Sequence, residues 1–403
     1  MLARKCYRFY KSYRTYASAI IRAVPKRHKL MIVAGEPSGD AHAAALVKAL
    51  RERAELELFG ATGPLMRDAG VETVVNSDEL AIMGIVEVGR VFPKFLKAFR
   101  ALKAAAIERS PDAVVLVDWP EFNLRLASAL HRRGLKVIYY ISPQLWAWRP
   151  RRVNKIKRDV DLLLSILPFE VDWYKEHNVD HIAFVGHPLS GEVKARYGRE
   201  EFCRRNDLDP SWPIVSFLPG SRHKELHRIL PPMLDAIAQL HDAHPEVQPV
   251  IVLAPSRTEK EARAIMSQSN SNIKLVQQQT LEALAASDAA AIASGTATLE
   301  AALLETPMVI VYKESSINWH TLGRLITVSH YGLVNLIAGQ EIAKELMQDD
   351  LVGENLAREL VKLLERETNR AVRASLRDVA HKLGEPGASQ RAAERIIEFL
   401  TTD

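Results

Sequence analysis

The chain of 403 residues contains only two cysteines, Cys6 and Cys203. That excludes a disulfide framework, and neither cysteine has the CxxC spacing of a structural zinc site or a redox pair. A reducing compartment is the natural setting. Long hydrophobic runs are missing too. Charge interrupts each one before the roughly 18 to 20 residues that a bilayer-spanning helix needs, so no transmembrane helix is expected. The glycine-rich signatures GxGxxG and GK[ST] are absent, which removes the main support for an NAD or ATP site. HExxH is absent as well, and no catalytic metal is expected. No repeat with a period of roughly 20 to 50 residues marks a solenoid or propeller.

Acidic side chains are absent before Glu36, whereas nine Lys or Arg residues fall within the first 29 positions. The net charge of +5 therefore resides in this arm. The remainder is close to neutral or slightly acidic, so the chain carries no nucleic-acid signature. Tyr7, Tyr10, Tyr13 and Tyr16 recur every third residue along the arm. Residues 1–28 read as a plain N-terminal extension, or else as a basic aromatic helix at an anionic membrane surface or a mitochondrial presequence. They lack the apolar core and cleavage site of a secretory signal.

What is present is the material of an ordinary globular protein, 47% hydrophobic and 26% charged, enough for two domains. From Lys29 onward, short aliphatic runs alternate with amphipathic segments of helical length, the pattern of parallel βα units. Strands are expected at residues 30–34, 57–60, 113–118, 136–141, 162–166 and 183–185, with helices at 41–53, 93–109 and 124–133. A polar stretch at 186–213 precedes a second series of strands at 214–218, 250–253, 273–276, 289–293 and 308–311. After Gln340 the pattern reads as helical to the end, broken at Glu385-Pro386-Gly387 before a last helix that can fold back on the first domain. The expected architecture is α/β: a Rossmann-like domain at 29–190, a second at 191–385 and a closing helix within 386–403. Two such open sheets leave a cleft between the carboxyl ends of their strands, where ligands bind.

The motifs at those strand ends carry the chemistry. The first strand runs into Gly35-Glu36-Pro37-Ser38-Gly39-Asp40. Small residues there let a ligand approach a helix N-terminus, and Ser38 or Asp40 can cap that helix instead. Capping does not account for Glu36. Asp118 ends a strand in Asp118-Trp119-Pro120-Glu121-Phe122-Asn123, where a carboxylate can accept the proton of an attacking hydroxyl or simply close the turn. Ser142-Pro143-Gln144-Leu145-Trp146-Ala147-Trp148-Arg149 brings two indoles toward the cleft, as packing or as a ligand platform. Gly186-His187-Pro188 reads as a site or a domain-closing turn. In the second half, Leu218-Pro219-Gly220-Ser221-Arg222 offers a turn and a fixed cation to a diphosphate, the alternative being a β-turn with a solvated Arg222. Ser294-Gly295-Thr296 exposes amides to phosphate oxygens at another helix start, and Glu300, one turn on, can take ribose hydroxyls. Together these suggest a nucleoside diphosphate whose charge is met by Arg222 and helix N-termini rather than a metal.

These segments, with Met83-Gly84-Ile85-Val86-Glu87-Val88 and Leu167-Pro168-Phe169-Glu170, resemble the lipid A disaccharide synthase family of inverting GT-B glycosyltransferases over about residues 29–400. The resemblance implies transfer of 2,3-diacylglucosamine from UDP-2,3-diacylglucosamine to 2,3-diacylglucosamine 1-phosphate, with UDP released and no cofactor. It implies Asp118 as catalytic base, and Arg222, Ser294, Gly295, Thr296, Glu300 and Asn335 as donor-binding residues. Asn335 lies in Leu333-Val334-Asn335-Leu336-Ile337-Ala338-Gly339-Gln340. Glu36, Ser38 and Asp40 become acceptor-side candidates. The stretch 82–99 gains a role as a membrane contact, through Met83, Ile85, Val86, Val88, Phe92 and Phe95. By pattern alone it reads as core helix. Pro37, Glu121 and Val334 depart from the family pattern. The resemblance further implies a peripheral position on the cytoplasmic face of a bacterial inner membrane, or a mitochondrial one if the arm is a presequence. A homodimer remains open. The rival readings are a UDP-N-acetylglucosamine 2-epimerase and a non-catalytic protein that binds a nucleotide sugar at a membrane.

Overall fold

The computed structural model describes residues 27–78, 88–267, 273–314 and 330–402, with the side chains of 88–92 excepted. The basic arm and Met83, Ile85 and Val86 lie outside the described residues, as do the side chains of Val88 and Phe92.

Among the described residues, seven strands form the first sheet: β1 (His28–Ala34), β2 (Leu56–Thr62), β3 (Glu72–Asn76), β4 (Ala113–Val117), β5 (Val137–Tyr140), β6 (Leu162–Ser165) and β7 (Ile182–Phe184). Six form the second: β8 (Ile214–Leu218), β9 (Gln248–Leu253), β10 (Lys274–Gln277), β11 (Ala289–Ala293), β12 (Met308–Tyr312) and β13 (Glu345–Met347). Every pairing is parallel. Parallel strands covered on both faces read as unbroken apolar runs. Within β1, Met31 and Val33 enter one core layer while Leu30, Ile32 and Ala34 enter the opposite one.

The main helices alternate with these strands. In the first half they are α1 (Pro37–Arg51), α2 (Pro64–Asp68), α3 (Val88–Arg109), α4 (Pro120–His131), α5 (Val153–Asp159) and α6 (Pro168–Glu176). In the second they are α7 (His223–Ala243), α8 (Glu259–Met266), α9 (Thr280–Ala286), α10 (Thr296–Leu303), α11 (Leu333–Ala338), α12 (Gly353–Leu364), α13 (Arg366–Lys382) and α14 (Ala388–Thr401). The orders are β3-β2-β1-β4-β5-β6-β7 and β10-β9-β8-β11-β12-β13. Strand order therefore reverses between β1 and β4 and again between β8 and β11, the crevices where open α/β sheets bind ligands.

The chain after Gln340 is not helical throughout, because β13 adds an edge strand beside β12. β3 is likewise a strand that pattern did not mark. Its residues Glu72 and Thr73 are exposed, and pairing with β2 rather than an apolar run makes it a strand.

The last helix returns to the first domain, where Ala392, Ala393, Ile396 and Leu400 complete the core layer under α1. The crossing is clamped. The His187 amide donates to the Leu383 carbonyl at 2.8 Å. The Arg391 guanidinium donates to Val185 at 2.8 Å, Pro386 at 2.9 Å and Glu385 at 2.6 Å. A side chain at Gly186 (φ +85°) would place its Cβ 2.3 Å from Arg391.

Candidate active site

In the first domain, β1 and β4 run side by side to the pair Ala34 and Val117, so Gly35-Glu36 and Asp118 leave neighbouring strand ends. Asp118 and Trp119 both adopt left-handed backbone, with φ of 49° and 51°. Each such non-glycine residue costs on the order of 1–2 kcal/mol. Hydrogen bonds oppose that strain. The Asp118 amide donates to Tyr140 O at 3.0 Å. Its carbonyl accepts from Asn123 Nδ2 at 2.8 Å and from the Tyr139 hydroxyl at 2.7 Å. Pro120 then opens α4, its fixed φ suited to the first helical turn.

The indole of Trp119 stacks on Phe122 with centroids 4.1 Å apart, and Phe95 tilts against it at 5.6 Å. A Cβ on Gly35 would lie 2.1 Å from the indole. Gly35 is therefore small to admit Trp119. Phe95, expected at a membrane surface, is half-buried in this aromatic wall.

The Asp118 carboxyl is raised to about 6, first by burial and second by the neighbouring charge of Glu36, with a hydrogen bond from the Trp119 amide partly opposing. Glu36 is exposed and also acts on Arg222, so its charge reaches both halves.

The other acceptor-side candidates resolve differently. Asp40 is 3% exposed. Its carboxylate accepts the amides of Gly63, Leu65 and Met66 at 3.0, 2.9 and 3.1 Å, which caps α2 rather than its own helix. Ser38 is exposed, and α1 begins without a side-chain cap. A cavity of about 290 Å³ lies over this region, lined by Glu36, Pro37, Asp40 and the β2–α2 turn.

In the second domain, the turns after β8 and β11 flank a cavity of about 430 Å³. Arg222, Ser294, Gly295, Thr296 and Glu300 all line it. Gly220 (φ +105°) leaves room for Glu225, whose Oε2 would sit 2.5 Å from a Cβ there. Glu225 accepts the amides of Ser221 and Arg222 at 3.0 and 3.1 Å and the Arg222 guanidinium at 2.6 Å. This capping box aims Arg222 but occupies the turn amides expected to face a diphosphate. The guanidinium itself remains exposed, and its pairing with Glu225 raises its pKa.

At the β11 turn, the Ser294 amide is used by Val311. Among the described residues no acceptor meets the amides of Gly295 and Thr296 at the start of α10. Among the described residues a Cβ on Gly295 would meet nothing within 4 Å, and Gly295 lines the cavity. Glu300 is half-buried, and burial raises its carboxyl pKa.

Asn335 does not join this group. It is fully buried. Its Nδ2 donates to Ala343 O and Glu345 Oε1, each at 2.8 Å, and its Oδ1 accepts the amides of Ile342 and Ala343, each at 2.9 Å. Its side-chain hydrogen-bonding groups all serve the approach to β13.

The Ser142–Arg149 segment divides between packing and surface. Trp146 is buried among residues of the second sheet, and its Nε1 donates to Glu170 at 2.9 Å. Ser142 and Ser165 also donate to Glu170, whose carboxyl burial pushes up to about 7. Trp148 is exposed under the Arg149 guanidinium, 4.1 Å from its ring centroid. Glu121 pairs with Arg149 and Arg152 at 2.9 and 2.8 Å. His187 is buried at the domain crossing, held at about 4, and accepts the Leu189 amide through Nδ1.

Two acidic pairs with one intervening residue, Asp159-Val160-Asp161 and Asp207-Leu208-Asp209, are occupied structurally. Asp159 binds Ser128 and Arg158, Asp161 binds the Val137 amide, Asp207 binds Lys274 and Asp209 binds Ser211. The residues that sequence reading missed are Asn123, Tyr139 and Glu225. Glu225 stands three residues after Arg222, the spacing of a capping box.

The comparisons with known proteins agree in kind. The family model described as Lipid-A-disaccharide synthetase matches residues 30–397. The lipid-A-disaccharide synthase of Geobacter sulfurreducens is 41% identical over 375 residues, covering 93% of this chain and 97% of its own. That of Solibacter usitatus is 42% identical, covering 92% and 97%. Among solved structures, S. aureus MnaA in a co-structure with UDP has a TM-score of 0.62 at 12% identity, covering 93% of this chain and 98% of its own. MurG of Acinetobacter baumannii has a TM-score of 0.55 at 16% identity, covering 92% and 99%. The solved structures establish the two-domain GT-B fold. With the family model spanning nearly all of β1 through α14, the chain belongs to the lipid-A-disaccharide synthase family of glycosyltransferases.

Proposed function

We propose that this enzyme condenses UDP-2,3-diacylglucosamine with 2,3-diacylglucosamine 1-phosphate, forming the β(1→6) disaccharide 1-phosphate of lipid A and releasing UDP. Asp118 takes the proton of the acceptor's 6-hydroxyl as that oxygen attacks the anomeric carbon. The bond from that carbon to the diphosphate breaks, and the electron pair leaves with UDP. A single displacement inverts the anomeric centre. Arg222 and the amides of Gly295 and Thr296 stabilise the departing diphosphate, and Glu300 holds the ribose hydroxyls. These groups take the part a metal plays elsewhere, so activity is expected to survive a chelator.

The observation that carries this reading is Asp118. Its carboxyl is raised to about 6 by burial, held by strained backbone at the switch point, and linked through Glu36 to Arg222 of the other domain. A base with a pKa slightly below neutrality is ionised at working pH and still basic enough to assist proton removal.

The acyl chains require a lipid surface. Among the described residues no helix is long and apolar enough to cross a membrane, and contact with an anionic bilayer is assigned to the segment around Met83, Ile85, Val86, Val88 and Phe92. Exposed Leu96, Lys94 and Lys97 continue that segment on α3. The decisive experiment is UDP release from the diacylated donor and acceptor together. Release that needs both lipids and disappears in Asp118→Ala supports the assignment. Formation of a manno sugar from UDP-N-acetylglucosamine alone overturns it in favour of an epimerase.

A further inference from the structure

We propose that His223, His227 and Glu261 form a binding site for a divalent transition-metal ion on the rim of the second domain, a site the transfer reaction does not require. His223 and His227 stand four residues apart in the first turns of α7, so their rings lie one above the other on one helix face. Their centroids are 4.3 Å apart. Glu261 comes from the neighbouring helix α8, where its amide bonds to the N-cap Thr258 hydroxyl at 3.3 Å. The ligating atoms of the three side chains all lie within 4.8 Å of one another. His223 Nδ1 is 2.5 Å from Glu261 Oε1, and His227 Nε2 is 3.7 Å from the same oxygen.

A tetrahedral ion bound at roughly 2.1 Å holds its ligand atoms roughly 3.4 Å apart. Both histidines are exposed, so small side-chain rotations reach that separation without moving either helix. Two imidazoles and one carboxylate suit Zn²⁺, Ni²⁺ or Co²⁺ and leave a fourth position for water, whereas Mg²⁺ and Ca²⁺ favour all-oxygen shells. The ion would compete with Arg257, whose Nη1 lies 3.5 Å from Glu261 Oε1.

The position gives the site a consequence. His223 follows Arg222 directly, and Gly220, Ser221, Arg222 and Glu225 form one wall of the 430 Å³ cavity. An ion bridging α7 and α8 pins the first turn of α7 and adds positive charge beside the assigned diphosphate position. Metal and nucleoside diphosphate then strengthen each other's binding, and by linkage the effect is equal in both directions.

The test uses the full chain without a histidine tag, stripped with EDTA and titrated with Zn²⁺ by calorimetry and with Co²⁺ by visible absorption. One saturable ion per chain is expected, weakened about tenfold or more in His227→Ala and in Glu261→Gln, while His241→Ala binds as the native chain does. No saturable binding, or unchanged binding in both ligand variants, overturns the site. With one equivalent of Zn²⁺, UDP affinity is expected to rise several-fold in the native chain and not in His227→Ala. An unchanged UDP affinity overturns the coupling. Absence of UDP binding under any condition would count against the nucleotide role of the cavity, while the metal titration decides the ion site independently of it.

Discussion

The two halves share strand order and crevice position, yet place opposite chemistry there. At the β1/β4 crevice stands a desolvated carboxyl, raised to about 6 and held by two left-handed residues. At the β8/β11 crevice stands an exposed guanidinium, with open amides at a helix start. The first site is filled with its own aromatic side chains, and Gly35 is small because Trp119 lies on it. Among the described residues nothing stands over Gly295 in the second. One fold thus holds a buried carboxyl at one crevice and an exposed cation beside helix-start amides at the other, and the difference lies in the residues following the strands.

The comparison breaks most sharply at Asp118. Asp118→Ala is expected to lower kcat by about 10²- to 10⁴-fold, while UDP affinity by calorimetry stays within about twofold, since the proposed base and the proposed donor site lie in different halves. Asp118→Asn adds a stability test. In the folded chain this carboxyl titrates at about 6 against an ordinary 3.8. The folded state therefore holds the extra proton between those values, and stability falls as pH rises through that window. The neutral amide removes the penalty. The variant should be more stable than the native chain at pH 7 by about 1–3 kcal/mol, with the gain disappearing below about pH 4 in urea melts.

Asn335→Ala tests the correction in the second half. Removing that side chain leaves the buried amide of Ala343 and the half-buried amide of Ile342 without their acceptor, and deprives Glu345 of a donor. A loss of about 2–4 kcal/mol in denaturant unfolding is expected, with UDP affinity of the folded protein unchanged. A stable variant with weakened UDP binding would return Asn335 to the site.

Arg222→Ala should weaken UDP binding by about 10- to 100-fold, in line with a charge-assisted hydrogen bond. Arg222→Lys should restore only part of the loss, because a point charge cannot reproduce the planar fork held by Glu225. Equal UDP affinity in Arg222→Ala would detach this turn from the nucleotide.

These contrasts mark how much the sequence discloses. The core strands are legible because parallel strands such as Ala113–Val117 are apolar throughout. β3 and β13 are not, since each exists through pairing with a neighbour rather than through its own composition. The strand ends that carry Asp118, Arg222, Ser294 and Glu300 are legible for the same reason as the core. Asp40 misleads because a polar residue near a strand end looks the same whether it meets a ligand or a distant backbone amide, and Asn335, named through the family resemblance, stands in a helix whose sequence does not show what it bonds. Only the fold reveals that Asp40 reaches α2 and that Asn335 reaches the loop before β13. Gly35 and Gly220 both mark crowding, by Trp119 and by Glu225, which their sequence neighbours do not show.

Glu36 gives the smallest and sharpest effect, because it is the charge that acts on both crevices. Its negative charge raises Asp118, so Glu36→Gln lets that carboxyl ionise at lower pH. The acid limb of the kcat/KM profile, set by the proton on Asp118, should then move down by about half a unit. The plateau should fall slightly, since a more acidic group is a weaker base. Arg222 loses a favourable neighbour and the diphosphate loses an unfavourable one, so UDP binding should tighten modestly. A limb that moves upward, or stays fixed while UDP binding changes, would separate the halves electrostatically and confine Glu36 to the second.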